Sequence, residues 1–160
     1  MHRAGVTGIL CRILLRPILG RSDYTAGRHL IEVSRSGRID RAGSLVRSLV
    51  LGARASLLQK KGRDPVILDV RGLNDVTDYM IIVTGENTPH IKALCEEVEK
   101  KLAEMGTVKH RRAGHEDSGW VVLDYLDFMV HILTRQLREY YALEDLWSDA
   151  RVIAVGESTD

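Results

Sequence analysis

Three carboxylates could perform the most direct chemistry in this chain. Asp124 and Asp127 lie three residues apart across a strand junction, and Asp69 sits on an earlier apolar strand. Carboxylates on neighbouring strands can bind magnesium and orient a phosphate. Enzymes that work this way usually present Gly-Ser followed by a D-x-D or D-x-E pair. That combination does not occur here, and Thr84-Gly85-Glu86 carries neither Ser nor a paired carboxylate. His110 and His115, with Cys95 on the preceding helical stretch, are too loosely spaced for a metal site. Cys95 also falls on an apolar helix face, where thiols are inert. His131, inside FMVHIL, reads as a satisfied core or edge histidine. No catalytic residue, metal or cofactor is expected.

The stretch Gly119 to Ala150 is richer in docking chemistry. It holds both tryptophans, three of the five tyrosines and the acids of the strand junction. Trp120 opens a strand beside acids, where an interface anchor would sit, since Trp, Tyr and Arg dominate binding hot spots. Trp147, four residues after Leu143 and beside Leu146, reads as core. Tyr140 and Tyr141 diverge by about 100° on a helix, so one can pack inward while the other faces out. Lys109, Arg111 and Arg112 read as a solvated edge strand, with RNA contact as the alternative.

Charge is unevenly divided. Of 160 residues, 1–43 carry 8 Lys+Arg against 3 Asp+Glu, whereas 44–150 carry 14 against 17. A net of −3 argues against a phosphate-driven interface, which needs a basic stripe. It suits a basic protein partner. Two distant cysteines, Cys11 and Cys95, form no CxxC and no disulfide framework, so a reducing compartment is the default. No apolar run approaches the roughly 18–20 residues that span a bilayer.

Hydrophobic periodicity supplies the frame. Residues 1–43 read as a basic extension rich in Arg, Gly and Ser, expected to be a flexible tail; residues 1–21 could alternatively serve as an organellar transit peptide. A helix is expected from an N-cap at Ser44 through Leu57 to Gly62, which closes it. VILDVRG after Pro65 reads as a strand, Leu73 to Asp78 as a polar connection, and YMIIVT (79–84) as a buried central strand. Thr88 caps a second helix with Pro89 at its first position. Ile91, Leu94, Cys95, Val98, Leu102 and Met105 form its apolar face, and Gly106 ends it. Val108 to Arg112 is a short basic strand and Ala113 to Ser118 a loop. WVVLDY and FMVHIL are strands flanking Leu126-Asp127. Short helices follow around Gln136–Tyr141 and Leu143–Trp147. The fold class is α/β (α+β): a single mixed β-sheet of about five strands with helices packed on it. A core domain of 44–150 precedes a tail of 151–160.

DVRGLNDVTDYMIIVTG, then a helix, then GWVVLDYLDFMVHILTRQLREYYALEDLWSDA closely resembles the Iojap family, the ribosomal silencing factors. The resemblance covers roughly residues 44–150. It implies a nucleotidyltransferase-like fold without the catalytic signature. It also implies binding to the large ribosomal subunit at its fourteenth L-series protein, a block on small-subunit joining, and homodimers. Carried over by position, the docking surface involves Trp120, Leu123, Asp124, Tyr125 and Asp127, with Arg138, Glu139 and Tyr140 adjacent. Asp78 and Tyr79 match the family's TDY element and border that surface. Leu126 stands where the family commonly has Gly, a residue that favours a tight primed turn.

The resulting expectation is a non-enzymatic translation repressor working in the cytoplasm under nutrient limitation, or in an organelle if the first residues are a transit peptide. The alternatives are a divergent nucleotidyltransferase using Asp69, Asp124 and Asp127, and an RNA-binding assembly factor using the basic arm with Arg111 and Arg112.

Overall fold

The computed structural model describes residues 39–154, with side chains from Gly43. The basic extension and its transit-peptide reading fall almost entirely outside them. Two compact units meet at the Ser48–Leu49 bond. What is described of the first is the opening of helix α1 (Ile39–Gln59), where Ser48 Oγ bonds back to the Ser44 carbonyl at 3.0 Å. The helix therefore begins five residues before Ser44, which is an interior residue and not its cap.

The second unit opens with the rest of α1. Leu49, Val50, Ala53 and Leu57 form its buried stripe at helical spacing. The left-handed residue that ends it is Lys61 (φ 60), not Gly62. Gly62 donates its N–H to the Leu57 carbonyl at 2.8 Å, and a Cβ there would meet Val83 at 2.8 Å. Gly62 thus closes the helix by its small size.

Strands β1 (Arg63–Asp69) and β2 (Tyr79–Gly85) are antiparallel, with a bulge between Arg63 and Val66. Every residue of β2 is buried, as its unbroken apolar run predicts. Helix α2 (Thr88–Glu104) follows. Its N-cap is Asn87, one residue before the expected Thr88, because the Asn87 side chain accepts the His90 N–H at 2.9 Å. Ile91, Leu94, Cys95, Val98 and Leu102 are buried as the periodicity required. The chain continues through β3 (Arg111–His115), a 3-10 turn (Glu116–Ser118), β4 (Trp120–Asp124), β5 (Phe128–Thr134), α3 (Arg135–Tyr141), α4 (Leu143–Leu146) and β6 (Arg151–Val152).

These strands form one sheet in the order β3-β4-β5-β2-β1-β6, with β2 and β5 the parallel pair. A parallel pair needs a long crossover, which α2, β3 and β4 provide. The expected mixed sheet with packed helices is present, but with six strands. The loop expected at Ala113 to Ser118 is half strand, since β3 pairs with β4 from Arg111–Asp124 to His115–Trp120. Arg151 and Val152, expected to lie in a tail, pair with Asp69 and Leu68 at the opposite edge. Two residues are too short a run to reveal a strand by periodicity.

Candidate functional site

The β4–β5 junction is tight. Tyr125 N–H donates to the Phe128 carbonyl at 3.0 Å, and Asp127 N–H to the Tyr125 carbonyl at 2.9 Å. The second bond is a γ-turn centred on Leu126, whose φ of 71° lies in the left-handed region. Asp124 Oδ1 accepts the Leu126 N–H at 2.8 Å. The ring of Tyr125 stacks on Phe128, 4.9 Å between centroids. The Asp127 carbonyl accepts N–H bonds from Asp78 at 2.9 Å and Tyr79 at 3.3 Å, tying the turn to the entry of β2. The preceding loop is braced by Asn74, whose Oδ1 accepts from Val76 at 2.7 Å and Thr77 at 3.0 Å. At this end of the sheet Asp78, Leu126 and Asp127 are exposed. Partial burial, and then the Asp78 charge, raise the Asp127 carboxyl above its ordinary value.

The other end of β4 carries the aromatics. Trp120 is half-buried, its ring 4.8 Å from Tyr141 and 6.0 Å from His131. Tyr141 in turn meets Tyr140 edge-on at 5.0 Å. Tyr140 is 78% exposed while Tyr141 is half-buried against Trp120, so the two rings touch yet only one faces out. Trp147 is buried, as expected of a core residue. Glu139 is exposed and holds Arg135 Nε at 2.8 Å. Arg138 turns inward. Its guanidinium meets Glu144 at 2.7 Å, Thr84 Oγ1 at 2.9 Å and the Arg63 carbonyl at 3.4 Å.

The ten residues assigned to docking by resemblance therefore do not form one patch. Asp78, Tyr79, Asp124, Tyr125 and Asp127 lie at the turn end of the sheet, and Trp120, Arg138, Glu139 and Tyr140 at the other. Trp120 and Asp124 are four steps apart on β4, about 13 Å. Tyr79, Leu123, Asp124 and Tyr125 are buried. Both faces of β4 are covered in this central part of the sheet, so the alternation that would have turned one set outward is absent. These four side chains shape the surface without presenting themselves on it. Sequence reasoning missed Thr84 and Glu144 as the partners of Arg138, because a contact across β2, α3 and α4 leaves no trace in local spacing.

The carboxylates do not converge either. Asp124 is buried, and burial raises its carboxyl above the usual range. Asp69 is gripped by Arg71 through Nε–Oδ1 at 2.8 Å and Nη2–Oδ2 at 2.5 Å, which holds its carboxyl below the usual range. Arg71 also lies over the Tyr79 ring, 5.1 Å from its centre. Strands β1 and β4 are three places apart in the sheet, about 14 Å, too far for one ion to bridge them. Among the described residues no group of three His, Cys, Asp or Glu is placed to hold a metal. Burial pushes the Cys95 thiol up to about 12, consistent with its inert face. His131 is buried as expected but not satisfied, for neither ring nitrogen has a partner. In the basic cluster Arg112 pairs with Glu116, and Lys109 meets Glu99 at 2.6 Å. That leaves Arg111 as the exposed arginine of the edge strand.

This single-sheet α/β architecture recurs in a crystal structure of a Chromobacterium violaceum protein, with a TM-score of 0.62 and 33% identity over 71% of this chain and 95% of that one. The class is thus a small mixed-sheet domain of the kind seen there. The family model described as "Ribosomal silencing factor during starvation" matches residues 46–160, and the chain belongs to that family. A Bacillus subtilis protein named ribosomal silencing factor is 32% identical over 104 residues, covering 65% of this chain and 88% of its own. A Chromobacterium violaceum protein of the same name is 38% identical over 87 residues, covering 54% and 71%. The general role of the chain is accordingly ribosomal silencing. Among the described residues no helix is long and apolar enough to cross a membrane.

Proposed function

We propose that this chain is a non-enzymatic, cytoplasmic translation repressor. It docks on the large ribosomal subunit at the fourteenth L-series protein and excludes the small subunit by steric overlap when nutrients are limiting. The observation that carries the reading is the exposed acidic pair Asp78 and Asp127, joined through the backbone at the turn end of the sheet. Carboxylates held this way suit a basic protein surface and repel RNA phosphates. The exposed Tyr140, linked to Trp120 through Tyr141, offers a second contact of hot-spot composition.

The test adds purified protein to separated subunits and follows sedimentation and joining. Wild type should travel with large subunits and reduce joining. Asp78→Lys with Asp127→Lys should lower both effects strongly while the circular dichroism spectrum stays native. Normal subunit joining at saturating wild-type protein would reject the reading. Magnesium-dependent nucleotide transfer lost on Asp124→Asn would instead favour the enzyme alternative. Binding lost on Arg111→Glu but kept by the double lysine variant would favour ribosomal RNA.

A further inference from the structure

A leucine with positive φ is costly, because its Cβ crowds the following carbonyl. Leu126 takes that conformation and remains 49% exposed, so its own burial does not compensate for the strain. Strain of this kind persists where the surroundings over-determine it. Here they do: the Leu126 N–H is held by the Asp124 carboxylate, the Tyr125 and Asp127 N–H groups are bonded, and the Asp127 carbonyl takes two donors from the start of β2. Tyr125 stacked on Phe128 gives the turn a rigid apolar floor.

We infer that Leu126 is a preformed apolar anchor, presented on the turn that Asp127 ties to Asp78, to enter a hydrophobic hole on a basic protein surface. This rests on the proposed docking to a large-subunit protein, and names the residue that would seat it. The occupant is a protein rather than RNA, because two exposed acids share this end of the sheet with the leucine and would repel a phosphate backbone. Fixing the turn backbone that presents this side chain removes part of the ordering cost from association.

The experiment measures affinity for purified large subunits alongside melting temperature, for wild type, Leu126→Gly, Leu126→Asn and Leu126→Met. Glycine and asparagine tolerate positive φ. Leu126→Gly should therefore melt at or above wild type, yet bind about tenfold more weakly, as expected for a truncated anchor. Leu126→Asn should bind weakly as well, and Leu126→Met should keep near-native affinity. Wild-type affinity in both the glycine and asparagine variants would overturn the anchor, as would a glycine variant that melts lower than wild type. If wild type itself fails to bind large subunits, the docking reading fails and the anchor with it. Loss of binding in the Asp78→Lys, Asp127→Lys protein alone would keep the docking and reject the anchor.

Discussion

Arg138 Nη1 donates a hydrogen bond to Thr84 Oγ1 at 2.9 Å, joining α3 to the end of the central strand 54 residues earlier in the chain. The same guanidinium holds Glu144 in α4, so one side chain ties β2, α3 and α4 together. A fork of donors in fixed geometry is needed for this, and lysine can replace only part of it. Arg138→Lys should lose about 1–3 kcal/mol in urea unfolding, the cost of leaving partly buried partners unpaired. Its folded fraction should still bind large subunits, because the group faces inward. A folded Arg138→Lys protein that no longer binds would place Arg138 on the docking surface after all.

His131 gives the fold an acid sensitivity. Burial lowers its imidazole from 6.5 to about 4. The unfolded chain takes up a proton near pH 6.5 that the native fold excludes until about 4. Native stability therefore falls as the pH drops through that window, by roughly 3 kcal/mol when complete. Asp124 and Asp127, with raised carboxyls, act in the opposite sense, since their protonation relieves the native state first. His131→Leu should match or exceed wild-type stability at pH 7 and lose much less between pH 6.5 and 4.5. Parallel pH profiles for the two proteins would contradict this.

Gly114 has φ 78°, and a Cβ there would lie 2.1 Å from the Trp120 carbonyl oxygen. The clash is with backbone, so the β3–β4 ladder must open to relieve it. Gly114→Ala should cost about 2 kcal/mol or more. Amide exchange along β4 should accelerate while that in β2 is retained. Unchanged exchange at Val122 and Asp124, whose N–H groups face β3, would contradict the close approach.

Tyr140 faces solvent, whereas Tyr141 is half-buried against Trp120. Tyr140→Ala should leave stability within about 0.5 kcal/mol of wild type. Tyr141→Ala removes the ring packed on Trp120 and should cost about 2 kcal/mol. Weaker subunit binding by the stable Tyr140→Ala protein would assign this end of the sheet to the interface as well, whereas unchanged binding would confine docking to the turn end.

Much of the frame was legible from hydrophobic period. The run YMIIVT could only be a fully buried strand, and the i, i+3, i+4 face from Ile91 to Leu102 could only be a helix lying on the sheet. Asn87 and Thr88 are both good acceptors, and the fold gives the cap to Asn87, whose side chain takes the His90 N–H. The family was legible too, since its motifs are contiguous stretches in fixed order.

What the sequence by itself determined, then, was the local elements, the membership, and the pooling of acids and aromatics between Gly119 and Ala150. Which of those residues meet solvent was decided by tertiary structure alone. Asp124 and Asp127 are three residues apart, yet one is buried beneath the turn and the other exposed on it. The reason is physical. A strand covered on both faces hides successive side chains regardless of polarity, and only the turn beyond it escapes the helices. Sheet order likewise carried Asp69 away from Asp124, and the length of β4 set Trp120 apart from Asp127. Neither distance is written in the spacing of residues along the chain.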